Sequence, residues 1–203
     1  MMTPSFINVA DAEAGMDLTS LIPGGDYGSG EIIIQTLTSI GLPDKTYTFT
    51  KDRKGNWFWK DVDEGTTIAE GDVSFGSGEG LWVEGLDGLS LTSSGAVGTE
   101  DVVIQLREGF TACGNMTAVP VDLTAIIPGG EYGSGEIIIQ TLTSIGLPDK
   151  TYTFTKDRKG NWFWKDVDEG TTITEGDVIF EAGKGLWVEG LDDLTITIPG
   201  PTL

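Results

Sequence analysis

The stretch that decides the fold is TYTFTKDRKGNWFWK at residues 46–60, which recurs without a change at residues 151–165. Large aromatic side chains alternate with threonines before a charged tip and flank Phe58 after it. Alternate side chains lie on one face of a strand, so the pattern predicts a hairpin with four large aromatics on one face. These four are Tyr47, Phe49, Trp57 and Trp59. Gly55 closes the tip, where longer hairpin loops commonly need a positive φ angle.

The hairpin belongs to a longer internal repeat. Residues 24–92 realign on residues 129–197 with a shift of 105 residues, no gap and nine differences in 69 positions. Self-similarity over this length makes the repeat the unit of folding. Two units in 203 residues have the usual size of domains, and we expect them at residues 1–95 and 96–203.

The fold class follows from the short apolar segments and the turn residues between them. Thirty glycines and eight prolines separate segments rich in β-branched and aromatic residues. This composition predicts an all-β protein of two tandem β-sandwich-like or small-barrel domains, each with six to seven short strands. The segment EIIIQTLT at residues 31–38 is apolar on both faces, so we place this strand centrally. Further strands of the first unit are expected near residues 46–50, 56–60, 73–75, 81–83 and 89–92.

The two copies are not equally complete. The second is preceded by an apolar strand that the first lacks, formed by Val102, Val103, Ile104, Gln105 and Leu106. The first domain is therefore expected to be truncated at its N-terminus, with an open sheet edge that could pair with another chain. The same strand could instead pack between the domains, close the first domain, or belong to the second.

Four of the nine differences fall within six residues, at positions 74–79 and their counterparts. If Val73 and Phe75 face inward, alternation turns Ser74 and its counterpart Ile179 outward. An outward isoleucine in one copy indicates a surface that meets different neighbours in the two domains. Drift after duplication explains the same change without an interface.

The charge excludes some partners. The formal net charge is −20, of which residues 1–105 carry −12 and the rest −8. Such a charge repels phosphate backbones and anionic lipids, so we expect no nucleic-acid binding and no membrane insertion. The hairpin tips are the positive clusters, and they either dock on an acidic patch of a neighbouring subunit or are solvated turns. Their cations are Lys51, Arg53, Lys54, Lys156, Arg158 and Lys159.

No enzyme is predicted. The chain has no histidine, which excludes Ser-His-Asp triads, Cys-His pairs and His-bearing zinc sites. Two acidic turns could in principle serve a carboxylate-based hydrolase or hold calcium, the one cofactor considered, although such turns are normally only solvated. Their carboxylates belong to Asp61, Asp63, Glu64, Asp166, Asp168 and Glu169.

The tryptophans of the hairpins allow two interpretations. In a small domain, aromatics on one alternating face usually build the core. The alternative is a glycan-stacking platform on a tandem pair of carbohydrate-binding modules, which would gain avidity from repetition. Its candidate residues are Trp57, Trp59, Trp162 and Trp164.

Cysteine content and the N-terminal segment bear on localisation. The single cysteine, Cys113, excludes an intrachain disulfide and is expected to be a small buried residue. The first fifteen residues have neither the positive start nor the apolar run of a secretory signal. We expect a protein made in the cytoplasm that reaches a virion or a cell surface after assembly.

The phrase GLWVEG occurs at residues 80–85 and again at residues 185–190, with Trp82 and Trp187 at its third position. In this stretch the unit resembles repeat modules of uncharacterised bacterial and phage-associated surface β-proteins. The resemblance implies a structural or surface role and no catalytic activity.

Taken together, these features predict a non-enzymatic structural protein. The duplicated module, the unequal strand content and the diverged patch around Ile179 favour self-association into a homo-oligomer or a larger assembly. A virion coat or decoration layer, a filament and a surface array are the assemblies expected. The runner-up is the carbohydrate-binding pair.

Overall fold

The fold is all-β, as predicted. The computed structural model describes residues 2–8, 16–38, 42–76, 79–86, 90–92, 100–114, 119–144, 147–191 and 193–200. Within them the chain forms nineteen strands and two short 3-10 helices, Leu18–Ser20 and Leu123–Ala125. We call the part from β1 to β9 the N-terminal unit and the part from β10 to β19 the C-terminal unit.

The N-terminal unit is built from one large sheet and two small ones. The large sheet has the strand order β1-β8-β4-β5-β6, and the small sheets pair β2 with β7 and β3 with β9. All pairings are antiparallel. The strands are β1 (Met2–Asn8), β2 (Met16–Asp17), β3 (Ile22–Gly24), β4 (Ile32–Leu37), β5 (Pro43–Lys51), β6 (Trp57–Asp61), β7 (Ser74–Phe75), β8 (Gly80–Leu86) and β9 (Ser90–Thr92).

The C-terminal unit repeats this plan with one strand more. Its large sheet has the order β11-β18-β14-β15-β16, β12 pairs with β17, and a three-stranded sheet has the order β10-β19-β13. The strands are β10 (Val102–Gln105), β11 (Gly109–Gly114), β12 (Val121–Asp122), β13 (Ile127–Gly129), β14 (Ile137–Ser144), β15 (Leu147–Lys156), β16 (Trp162–Asp166), β17 (Ile179–Phe180), β18 (Gly185–Gly190) and β19 (Thr195–Ile198). Each unit has more strands than the six or seven predicted, because two-residue strands such as β2 and β17 carry no periodic signal in the sequence.

The apolar segment at residues 31–38 forms β4, the central strand of its sheet, as predicted. Ile32 and Ile34 point into the core of the unit and are almost completely buried. The large sheet supplies one side of that core and the small sheets the other, through residues such as Leu18 and Phe75. The unit is therefore sandwich-like, with its main sheet facing the two short ones.

The hairpin carries its four large aromatic side chains on one face, as predicted. The register places Phe49 opposite Trp59 and Tyr47 opposite Asp61, so the four aromatics share one side of the sheet. Tyr47 and Trp59 are buried, and the Trp59 indole N–H donates a hydrogen bond to the Leu21 carbonyl at 3.3 Å. At the tip, the Asp52 carboxylate accepts from two backbone N–H groups, and Gly55 has a φ of 92° as expected for this loop.

The two units pack against each other through the outer faces of their large sheets. On β8, Leu81 and Val83 face the core of their own unit, while Trp82 faces the opposite way. Trp82 and its counterpart Trp187 form a shared buried cluster with side chains of both units, and only 2% and 4% of their surfaces are exposed. The cluster is completed by Leu37, Phe110, Ala112 and Leu142. Each main sheet is thus covered on both faces, by its own small sheets and by the other unit.

Candidate functional site

The extra strand belongs to the C-terminal unit. β10 pairs antiparallel with β19, with Ile104 opposite Ile196. The Leu106 N–H continues the pairing by donating to the Leu194 carbonyl at 2.8 Å. Of the arrangements that the sequence left open, the structure therefore forms the one in which this segment extends a sheet of the second unit.

The N-terminal unit has no such strand among its described residues. β9 is the counterpart of β19 and pairs with β3 in the same register as β19 with β13: Leu91 lies opposite Pro23, and Ile196 lies opposite Pro128. In the part of the unit that the structure describes, β3 is the one strand paired with β9. The other edge of β9 is the site that we consider first, because an unpaired edge offers N–H and C=O groups to another strand.

Side chains on β19 are more deeply buried than their counterparts on β9, because β10 packs beside β19. Ile196 is completely buried, with Ile104 and Leu106 beside it at 7% and 2% exposure. Its counterpart Leu91 is only partly buried, and Ser90 is exposed. Among the described residues, no aliphatic side chains cover this edge as those of β10 cover the edge of the sister unit.

A cleft of about 370 Å³ lies beside β10, between the two units. The N-terminal unit lines it with residues that include Gly76 and Glu79, and the C-terminal unit with residues that include Val103 and Arg107. Burial raises the pKa of Glu79, while a hydrogen bond from the Gly76 N–H and the positive charge of Arg107 act against that rise. Glu79 and Arg107 are therefore electrostatic neighbours across the unit boundary.

The two acidic turns are occupied by the protein's own donors. Asp61 is buried and accepts from the Glu64 N–H at 2.8 Å, Asp63 accepts from the Thr46 N–H at 2.9 Å, and Lys45 lies 3.0 Å from Glu64. The second turn repeats these contacts with Asp166, Asp168, Glu169, Lys150 and Thr151. The carboxylates fix the turn on the neighbouring strand. Over the described residues, no group of three or more histidine, cysteine, aspartate or glutamate side chains could hold a metal ion.

The basic hairpin tips are exposed in both units. The Lys51 ammonium lies over the Trp57 ring at 5.3 Å from its centroid, and Lys156 lies over Trp162 at 4.8 Å. The remaining tip cations, Arg53, Lys54, Arg158 and Lys159, extend from the turn into solvent. Ile179 is also exposed, at 45%, while the adjacent Phe180 is buried. These residues lie on the surface, where an assembly contact could use them.

The hairpin tryptophans divide into a buried and an outer pair. Trp59 and Trp164 are 2% exposed and belong to the cores. Trp57 lies at the rim, stacked on Phe49 with 5.3 Å between ring centroids and a 7° interplanar angle. A groove of about 370 Å³ runs along this rim, with Tyr27 and Ile22 in its lining. Phe49 stacks on the Trp57 ring and the Lys51 ammonium lies over the same ring, so both compete with a ligand for its aromatic surface.

Cys113 is a buried side chain of β11, with no exposed surface. Burial raises the pKa of its thiol to about 12. Because the thiolate is the reactive form, we expect native protein to resist an aromatic disulfide reagent and to react at one site once the C-terminal unit unfolds. Thiol titration against urea concentration tests this, and prompt labelling of native protein would contradict it.

Three residues of these surfaces escaped prediction: Leu91, Glu79 and Arg107. The sequence signal for Leu91 was the apolar segment at residues 102–106, which precedes the second copy of the repeat and covers Ile196, the counterpart of Leu91. Glu79 and Arg107 are 28 positions apart in sequence and belong to different units. Only the packing of the two main sheets brings them together, so no local pattern could have paired them.

No family model matches the sequence, and no curated protein or solved structure shows significant similarity to it. No helix in the described parts of the chain is long and apolar enough to span a membrane.

Proposed function

We propose that the protein is a non-enzymatic building block or decoration module of a repetitive assembly, such as a virion coat layer, a filament or a surface array. The observation that carries the proposal is the outer edge of β9: no strand of the described residues pairs with it, whereas its counterpart β19 in the same chain pairs with β10. Natural proteins blunt or cover such edges, and an edge that stays open is a site for pairing with another chain.

Two further surfaces support this role. The exposed Ile179 replaces the serine of the sister unit, and the basic tips stand on a body with a net charge of −20. Opposite charges on different parts of one molecule favour contacts between copies, and head-to-tail contacts generate rings or filaments.

Size-exclusion chromatography with light scattering, followed by negative-stain microscopy, tests the proposal across salt and calcium concentrations. We expect species larger than the monomer, with an association that weakens as salt screens the tips. Ile179→Ser is the matched variant, because Ser74 occupies the same place in the sister unit without harm to the fold. It should weaken association and leave the unfolding midpoint unchanged. A monomer under every condition would contradict the proposal.

The rim groove supports a second candidate function, the tandem carbohydrate-binding pair. Each unit carries a partly exposed tryptophan next to a tyrosine, Trp57 with Tyr27 and Trp162 with Tyr132, at centroid distances of 5.0 Å. Sugars stack on such rings when a face becomes free, which here requires Lys51 or Lys156 to move aside. Quenching of tryptophan fluorescence by a glycan, lost in a folded variant without both rim tryptophans, is the result this candidate requires.

A further inference from the structure

The interface between the two units has a symmetric pattern of contacts. β1 contacts β18, and β11, the counterpart of β1 at the sheet edge, contacts β8. β8 also contacts its own counterpart β18, and β1 contacts β11. These contacts stay the same when the two units are interchanged. The units are therefore related by an approximate two-fold rotation, and each contributes the equivalent face of its main sheet.

The side chains at the centre of the interface are counterparts in the repeat. Trp82 and Leu37 of one unit lie in one buried cluster with Trp187 and Leu142 of the other. Neither tryptophan belongs to the core of its own unit. We call the two surfaces the Trp82 face and the Trp187 face. What covers each face is thus a face of the same kind, supplied by another copy of the repeat.

The two faces are equivalent but not identical. On β11, Ala112 lies opposite Trp187. At the equivalent place on β1, Phe6 lies opposite Trp82. The contact that the structure forms therefore joins two unlike faces. A contact of the same geometry between two chains must likewise join the Trp82 face of one copy to the Trp187 face of another.

Such a contact between chains competes with the contact within each chain. Nine residues join β9 to β10, so the two faces of one chain are covalently linked. A short linker corresponds to an effective concentration on the order of 1 mM. At a chain concentration of about 10 µM, the contact between chains is therefore disfavoured about 100-fold. Copies that are crowded together in an assembly reach the concentration at which the two contacts are equally favoured.

We propose that the Trp82 face of one copy packs on the Trp187 face of the next, in place of the contact within each chain. The inference rests on the proposed assembly function and names its partner and surface, a second copy of this chain held by the face between the units. Because the face that each copy receives differs from the face that it offers, the copies join head to tail. Contacts of this kind generate rings or filaments.

Two complementary variants of the full chain test this. Trp82→Glu spoils one face and Trp187→Glu the other, because each would bury a carboxylate on the side of the strand that carries Glu84 or Glu189. Neither variant can form the contact within the chain, but each keeps the face that the other has lost. The unit cores should stay folded, and unchanged circular dichroism with a protected Cys113 checks this.

Sedimentation velocity measures the association of each variant and of their mixture. The concentrations extend to about 100 µM, a tenth of the effective value within one chain. We expect a one-to-one complex in the mixture, and self-association of either variant alone that is at least about tenfold weaker. A mixture that stays monomeric would overturn the proposal. Self-association of either variant as strong as that of the mixture would overturn the head-to-tail order.

The chain that carries both substitutions is the matched control. It has lost both faces and should form no complex with itself or with either single variant through this contact. Trp82→Ala and Trp187→Ala repeat the test without a buried charge. The alanine pair should give the same order of association with smaller differences, and the reverse order would count against the proposal.

These outcomes separate the inference from the proposed function. If the unaltered chain assembles while the mixture of variants stays monomeric, the assembly role stands and the exchange of faces is wrong. If the mixture forms its complex while the unaltered chain is monomeric under every condition, the face is exchangeable and the assembly role is wrong.

Discussion

Replacing Trp164 with alanine is expected to lower the free energy of unfolding of the C-terminal unit by about 3–5 kcal/mol, the usual cost of removing a large buried aromatic side chain. The side chain is 2% exposed, and its indole N–H donates to the Ile126 carbonyl at 3.3 Å. Its ring lies 5.0 Å from that of Phe154. The substitution therefore removes core volume and leaves the buried carbonyl without its donor.

Trp162→Ala provides the matched comparison, two residues away on the same face of the same strand. Trp162 is only partly buried, with Phe154 and Lys156 on its ring. We expect a loss of about 1–2 kcal/mol, since a smaller apolar area returns to water. Urea unfolding followed by Cys113 reactivity reports on this unit alone. Equal losses for the two variants would mean that Trp164 is not the core residue described here.

The comparison also decides how the glycan candidate can be tested. A Trp164 variant that unfolds loses every activity, so loss of binding there carries no information about sugars. Trp162→Ala together with Trp57→Ala should leave both units folded. Glycan binding that disappears in this folded double variant would identify the rim groove as the site.

Alternation in the sequence predicted the local structure well. The hairpin at residues 46–60, its aromatic face, its glycine turn and the central position of β4 all follow from period-two patterns and turn chemistry. These features depend on neighbours a few residues away, and the repeat supplied the same evidence twice. The all-β class follows from the same signals.

The sequence could not show what covers each face and edge. Alternation separates Trp82 from Leu81 and Val83, which predicts an outward tryptophan on a central strand. The residues that bury it belong to the other unit and include Trp187, 105 positions away. The pairing of β10 with β19 is equally non-local, and the sequence does not distinguish β19 from β9 as its partner, because both are short alternations of hydroxyl and aliphatic residues. Pairing between segments so far apart in sequence depends on how the strands pack in the folded protein, which no local pattern specifies.

The interface between the units should fail when both of its tryptophans are removed. Trp82 and Trp187 are the largest side chains of the shared cluster, and each contributes to burying the other. With Trp82→Ala and Trp187→Ala combined, we expect the units to lose their coupling and to unfold at separate urea concentrations. The loss should be smaller than the sum of the single variants, because each single change already opens the same contact.

Phenylalanine variants test the same interface with a smaller loss of volume than alanine variants and exploit a difference between the two rings. The Trp82 indole N–H donates to the Glu84 carboxylate at 3.2 Å, whereas the buried Nε1 of Trp187 has no hydrogen-bond partner among the residues that the structure describes. Trp82→Phe loses a hydrogen bond, while Trp187→Phe removes a buried donor that is unsatisfied, a group that costs about 1–3 kcal/mol. Both variants lose the same ring volume, so Trp82→Phe should be more destabilising than Trp187→Phe by about 1–2 kcal/mol. Circular dichroism for the whole chain and Cys113 reactivity for the C-terminal unit measure both effects, and a larger loss for Trp187→Phe would contradict the assigned asymmetry.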